Sequence, residues 1–238
     1  ATATGVVKKT DMAQFARQRS VGLRAIELEE GDWLVGTAVT DGSCDIMLFS
    51  SEGKAVRFSE DAVRAMGRTA RGVRGISLPP EHRLLSLVVP KAGGQILTVS
   101  EKGYGKVTGM TDFPQKGRGT KGVIAMATTA RNGSLVGAEQ VFAGDEIMLI
   151  SDAGTAVRTR VDEISVLGRN TQGVRVIRTR DDEHLVSVSR IAEDDDASEV
   201  AAPVNASNAS DEGVANESSE STARESKDSP DGAADDEV

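Results

Sequence analysis

Aromatic side chains are scarce, with one Trp, one Tyr and five Phe in 238 residues. A platform that stacks the bases of single-stranded nucleic acid needs several rings, so this composition argues against that class. Cysteine is nearly absent: Cys44 stands alone, which rules out an intrachain disulfide and fits a reducing, cytoplasmic setting. With no second thiol or nearby histidine in the sequence, Cys44 also offers no metal-site pattern. No apolar run approaches the roughly 18 residues of a membrane helix, and no signal peptide is visible. Apolar residues never sustain the spacing of an amphipathic helix, so helix is expected only as isolated turns, for example over Ser59-Glu60-Asp61-Ala62.

What the chain has instead is a repeat. Gly5, Gly53, Gly103 and Gly154 follow one another at 48, 50 and 51 residues, and Gly22, Gly72, Gly122 and Gly173 at 50, 50 and 51. The apolar pairs Leu34-Val35, Leu84-Leu85, Leu135-Val136 and Leu185-Val186 keep the same beat. Around each glycine of the first series two β-rich runs flank a short turn, as in Ile46-Met47-Leu48-Phe49-Ser50 and Lys54-Ala55-Val56-Arg57-Phe58 on either side of Gly53. That is a hairpin closed by a left-handed residue. An apolar anchor follows (Phe15, Val63, Phe113, Ile164), then a polar loop, the second glycine and two more short apolar runs. Four short strands per unit at this period predict an all-β array of propeller-like blades over residues 1–192, whose units cannot bury their own apolar faces. Only four residues precede Gly5, where the other units have a full strand, so the chain reads as the C-terminal piece of a longer protein beginning inside a blade.

Residues 193–238 have another composition: 15 acidic and 2 basic side chains, no aromatics, and many Ser, Ala and Asn. Such a segment buries too little apolar surface to offset its ordering entropy, and a disordered acidic tail is expected. Of the chain's 28 basic and 37 acidic residues, 26 and 22 therefore lie in the repeats, so the array is +4 although the whole chain is -9. The charge concentrates in the loops between anchor and second glycine (16–21, 64–71, 114–121 and 165–172). They carry Arg17, Arg19, Arg64, Arg68, Arg71, Lys116, Arg118, Lys121 and Arg169, and no acidic residue. Further basic residues recur beside them, at Lys8, Lys9, Lys54, Arg57, Lys106 and Arg158 and at Arg24, Arg74 and Arg175. Equivalent positions on successive blades project on one side, so a curved basic surface suited to duplex DNA backbone is expected.

Signs of catalysis are weak. His82 and His184 occupy the same slot in two repeats, after a glutamate and before the apolar pair, which marks a structural position. Lys102 to Gly105 holds no phosphate-loop lysine followed by Ser or Thr. Asp194, Asp195 and Asp196 read as a solvated acidic run rather than a cation site. No metal site and no catalytic residue is assigned.

The segments Gly53-Lys54-Ala55-Val56-Arg57-Phe58 and Ser165-Val166-Leu167-Gly168-Arg169-Asn170-Thr171-Gln172-Gly173, with the acidic tail, resemble the C-terminal domain of the DNA gyrase A protein. The resemblance covers the whole repeat region. It implies a β-pinwheel whose basic outer rim wraps duplex DNA and supports ATP-dependent negative supercoiling by a type IIA topoisomerase, an isomerase. It also implies that the partners are the gyrase B subunit together with the rest of gyrase A, and that ATP and Mg act elsewhere in the holoenzyme. The catalytic tyrosine is then expected in another domain, Tyr104 being the only tyrosine here. The family's gyrase box, Gln-basic-basic-Gly-Gly-basic-Gly, belongs to the first blade. Its closest counterpart is Gln115, Lys116, Gly117, Arg118, Gly119, Thr120, Lys121 and Gly122, which has the chemistry without the spacing. This loop reads as a degenerate relative on a later blade. Two alternatives stay open: the corresponding domain of topoisomerase IV, which shares the fold with more degenerate repeats, and a protein-binding propeller. The latter lacks support, since Trp-Asp and Gly-His signatures are missing and Asp32-Trp33 has the wrong order.

Overall fold

The computed structural model describes residues 1–17, 20–180 and 182–192. Arg19 and the acidic segment from Glu193 lie outside the described residues. Contacts divide the chain into Ala1–Asp195 and Asp196–Val238, and the repeats make up the first of these units.

Thirteen strands build it: β1 (Val6–Val7), β2 (Asp45–Ser50), β3 (Lys54–Ser59), β4 (Val73–Arg74), β5 (Leu84–Val88), β6 (Gln95–Ser100), β7 (Tyr104–Thr108), β8 (Val123–Ile124), β9 (Leu135–Val141), β10 (Glu146–Ser151), β11 (Ala156–Arg160), β12 (Val174–Arg175) and β13 (Leu185–Ile191). Among the described residues the helical elements are four single 3-10 turns, Met12–Phe15, Glu60–Ala62, Met110–Asp112 and Val161–Glu163, each leading into or ending on an anchor residue. The turn expected at Ser59 to Ala62 is there, with the Ser59 hydroxyl accepting from the Asp61 N–H.

The sheets depart from the expected blade. Instead of taking four strands from one repeat, each complete sheet takes three from one repeat and the fourth from the next. The orders are β5-β2-β3-β8 and β12-β7-β6-β9. β1 pairs with β4 in the same manner, and β10, β11 and β13 form a three-stranded sheet. Three times the same contact fixes the exchange. Gly5 O accepts from Gly75 and Ile76, Gly53 O from Ala125 and Met126, and Gly103 O from Val176 and Ile177.

That exchange explains the glycines better than turn chemistry alone. Gly53 and Gly122 both have positive φ, 80° and 79°. In addition, a Cβ on Gly53 would overlap the Met126 carbonyl oxygen, and one on Gly122 the Ala55 carbonyl oxygen. Each glycine is where one repeat's backbone crosses its neighbour's.

The core sits between blades. One cluster joins Val7, Leu48, Val56, Phe58, Ile76 and Leu84 across the first and second repeats. A second joins Met47, Phe49, Ile96, Phe113, Met126 and Leu135 across the second and third, and a third joins Leu97, Val99, Val107, Ile147, Leu149 and Leu185 across the third and fourth. Successive residues of a strand point to opposite sheet faces, so Leu48 feeds one core and Met47 and Phe49 the next. Strands buried on both faces need continuous apolar runs, which is what β2 and β6 show. β5 packs on β9 and β9 on β13, placing these strands at the hub. The exchanged strands β4, β8 and β12 lie at the opposite edge, the rim.

Candidate nucleic-acid interface

The basic loops run into the rim strands. Each is pinned at its start to the preceding blade by a parallel bridge, Lys9 with Ala65, Arg57 with Gln115 and Val107 with Val166. The Met66, Lys116 and Leu167 N–H groups donate there to the carbonyls of Lys9, Arg57 and Val107. The loops thus straddle blade boundaries along the rim.

The structure sorts the expected cations into kinds. Arg17, Arg64, Lys116 and Lys121 are exposed, and no hydrogen bond or ion pair of their side chains is found among the described residues. Arg68, Arg118 and Arg169, at equivalent positions, are half-buried braces. Arg118 Nε donates to Ala62 O at 2.7 Å and its Nη1 to Arg74 O at 3.0 Å. Arg169 Nη1 reaches Ile124 O at 3.1 Å, and Arg68 Nη1 reaches Arg24 O at 3.4 Å. Each brace holds its loop to the backbone just past the second glycine of the preceding repeat. Arg71 pairs with Glu29 at 3.1 Å and Glu27 at 3.8 Å.

The flanking basic residues are mostly structural. Lys54, Arg57, Arg158 and Lys9 pair with Glu52, Asp45, Glu146 and Glu60. Lys106 is fully buried, its ammonium donating to the carbonyls of Gly168 and Arg169, at 2.7 and 2.5 Å, and to Thr171 Oγ1. Burial, offset in part by Asp112, lowers its pKa from 10.5 to about 8. Lys8 does the same for the Ala25 and Arg68 carbonyls.

The box-like loop from Gln115 to Gly122 is stapled rather than loose. Gln115 Nε2 donates to Asp45 Oδ1 at 2.7 Å, Gly119 N–H to Gly75 O at 2.5 Å, and Thr120 O accepts from Ser77 N–H at 2.9 Å. Backbone N–H groups of Lys116 and Gly119 are engaged within the protein, which leaves the Lys116 and Lys121 side chains as the cations this loop presents.

His82 Nδ1 lies 3.1 Å from Ser51 Oγ, and His184 packs on Asp152, which occupies the same turn position in the fourth repeat, with its N–H donating to Oδ1 at 3.0 Å. The shared slot therefore serves the hairpin turn. Asp41, Cys44 and Glu60 come together with ligand atoms within 4.8 Å of one another. The buried Glu60 carboxylate is already engaged by the Cys44 N–H and Lys9, and Cys44 Sγ donates to Asp41 Oδ1 at 3.3 Å, raising the thiol pKa.

A further cationic group escapes the loop pattern. Tyr104 is buried, and its hydroxyl accepts from Arg131 Nε at 3.2 Å and Arg175 Nη2 at 3.1 Å. Both guanidinium carbons sit 5.3 Å from the ring centroid. The Arg175 and Arg131 hydrogen bonds hold the phenol pKa below its usual value. The available signal is local. The segment before the apolar pair is acidic in the other three repeats (Glu29-Glu30, Glu81, Asp181-Asp182-Glu183), whereas in the third it reads Thr128-Thr129-Ala130-Arg131-Asn132.

Strand-exchanged blades stacked around a hub with cationic loops on the rim define a β-pinwheel, a propeller-like class. The family described as "DNA gyrase C-terminal domain, beta-propeller" matches residues 1–41, 45–91, 94–141 and 145–192, one stretch per repeat, and the chain belongs to that family. It is 54% identical over 215 residues to the DNA gyrase A protein of Salmonella typhimurium, covering 90% of this chain and 24% of that protein. To the Pseudomonas aeruginosa gyrase A protein it is 58% identical over 193 residues, covering 81% of this chain and 21% of the relative. The chain thus spans about a quarter of the length of these relatives. Among solved structures it is similar to a DNA gyrase A C-terminal domain, with a TM-score of 0.71, 28% identity and coverage of 81% of this chain and 64% of that one. Its similarity to the C-terminal domain of DNA topoisomerase IV has a TM-score of 0.76 with 25% identity, covering 80% of this chain and 60% of that one. The fold is common to both, so sequence identity separates them.

Proposed function

We propose that residues 1–192 bind duplex DNA without sequence preference along the rim and, within a gyrase A protein, bend it around the disc in support of ATP-dependent negative supercoiling. The observation that carries this is the row of unpaired exposed cations, Arg17, Arg64, Lys116 and Lys121, at the blade boundaries, in loops without an acidic residue. Regularly spaced cations without base-reading groups suit phosphate contacts and bending. This chain supplies no catalytic group in that reading. Strand passage, ATP, Mg and the contact with gyrase B belong to the rest of the holoenzyme. Cytoplasmic residence follows from the same reading.

Residues 193–238 are assigned to an acidic tail that competes with DNA for the rim. Attraction between a -13 segment and a +4 array is screened over roughly 8 Å at physiological ionic strength, so competition fades with salt. Removing the tail is expected to tighten duplex binding at low salt, with the two forms converging at high salt.

The direct test is the salt dependence of duplex affinity for the full chain. Log affinity is expected to fall with log salt at a slope of about -0.9 per phosphate neutralised. A slope near zero overturns the reading. Replacing Lys116 and Lys121 by Ala is expected to lower the slope by about two without changing the melting temperature. Arg118→Ala, which removes a brace, lowers both.

A further inference from the structure

We propose that Arg131 and Arg175, braced on Tyr104, form a clamp for a backbone phosphate of duplex DNA that only the third blade carries. The proposal rests on the DNA-binding reading above and names a contact outside the loops that reading uses.

Three observations converge. First, both guanidinium groups donate to the same phenolic oxygen, at 3.2 and 3.1 Å, so their donor atoms are no farther apart than these two bonds laid end to end. That separation lets one phosphate group accept from both arginines. Second, neither arginine has a carboxylate partner among the described residues. Glu101, whose carboxylate packs on Gly133 in the Arg131 loop, forms no ion pair with either. Two like charges held together by a neutral acceptor and an aromatic ring repel each other, and an anion relieves that repulsion. Lys102 adds a third positive charge nearby, its ammonium donating to Ala130 O at 2.7 Å in the same loop.

Third, the cluster adjoins the rim. Arg175 sits on β12, the exchanged strand entered from the basic loop 165–172, and is exposed. The fully buried Asn132 ties the Arg131 loop to that basic loop, its Nδ2 donating to Gln172 O at 3.3 Å and to Ala127 O at 3.0 Å, while its Oδ1 accepts from Thr129 N–H at 2.8 Å. The clamp is therefore rigidly placed beside the loop that carries Arg169. Tyr104 is a positioning residue: its ring and hydroxyl hold the two arginines and it does not itself meet the phosphate.

Because Tyr104 is the only tyrosine in the chain, phenolate formation reports on the clamp without assignment. Its phenol is held acidic by Arg175 and Arg131, so an anion that neutralises them moves phenolate absorbance to higher pH. The experiment compares the full chain with Arg131→Gln/Arg175→Gln and with Tyr104→Phe, using a short duplex and, separately, inorganic phosphate at matched concentration. The double variant is expected to lower the slope of log affinity against log salt by about two and weaken low-salt duplex binding at least tenfold. In the unsubstituted chain duplex is expected to shift the tyrosine titration upward more than inorganic phosphate does. Tyr104→Phe keeps the ring and loses the shared acceptor, with an intermediate loss. An unchanged slope in the double variant, or a tyrosine titration indifferent to duplex, overturns the clamp while leaving rim binding intact. An upward shift by phosphate equal to that by duplex also overturns it, since the site would then be a free-anion site. If the double variant fails to fold, the tyrosine titration decides. Absence of salt-dependent binding by the unsubstituted chain is a different result, which removes the rim reading itself.

Discussion

The first repeat and the inner ones use the same residue at the same position with opposite outcomes. Leu34 is 46% exposed, whereas Leu84, Leu135 and Leu185 are 1%, 2% and 2% exposed. The difference lies in the neighbour and not in the residue. The Leu84 N–H donates to Ala3 O, Leu135 to Ser51 O and Leu185 to Glu101 O, so each buried leucine docks on the hairpin turn of the preceding repeat. Leu34 instead borders a groove of about 550 Å3 lined by Val7, Val39, Ile46, Phe58 and Leu87. The fourth repeat mirrors this on its other face. Ile150 of β10 is 37% exposed, while Phe49 and Val99 at the matching positions are fully buried. A repeat of this fold is half of two interfaces, and its stability is a property of neighbours.

The contrast breaks most plainly at the leucines. Leu135→Ala removes a buried side chain and leaves a cavity, so a loss of about 2–5 kcal/mol is expected, against less than about 1 kcal/mol for Leu34→Ala. Urea denaturation of both variants measures this, and equal losses would mean that burial at this position does not govern stability.

The turn glycines sharpen it. Gly53→Ala and Gly154→Ala both meet the left-handed penalty, since φ is 80° and 81°, but only Gly53 lies against the next repeat's backbone. Gly53→Ala is expected to cost about 1–3 kcal/mol more than Gly154→Ala through overpacking, visible as a larger fall in melting temperature.

Lys106 tests the buried braces. Its pKa is lowered on folding, so the unfolded chain binds more protons between about pH 8 and 10.5, and stability rises with pH across that window. The penalty for keeping the charge buried is fully present below about pH 8. The rise, on the order of 1 kcal/mol, is expected between denaturation at about pH 7.5 and at about pH 9.5. It is expected to vanish in Lys106→Met, which places an apolar side chain where the second and fourth repeats have Val56 and Val157.

The smallest effect belongs to the exposed pair. Arg71→Ala is expected to change stability by less than about 0.5 kcal/mol, because Arg71, Glu27 and Glu29 are solvated, whereas Arg118→Ala removes bonds to two carbonyls and exceeds it. Parallel thermal melts rank the two.

Much of the fold is legible in the sequence for a specific reason. Gly5, Gly53, Gly103 and Gly154 all have positive φ, as a hairpin-closing position demands, and so do Gly22, Gly72, Gly122 and Gly173. Local backbone constraint writes itself into residue type, and repetition amplifies it. The apolar anchors Val63, Phe113 and Ile164 are buried for the same reason, since a recurring large apolar residue after a strand marks a core. The role of each cation is not legible. Arg64, Arg68 and Arg71 share one loop, yet one is free, one braces a carbonyl and one is ion-paired.

What the sequence determines by itself is therefore the period, the strand-turn-strand grammar, the apolar positions and the sites where a side chain cannot fit, because these depend on a residue and its immediate chain. Tertiary structure alone decides that each blade takes its last strand from the following repeat, that Leu34 is exposed where Leu135 is not, and that Tyr104 gathers Arg131 from one loop and Arg175 from another repeat. The two arginine contacts join residues 27 and 71 positions apart, and no local pattern encodes which distant carbonyl or ring a side chain meets.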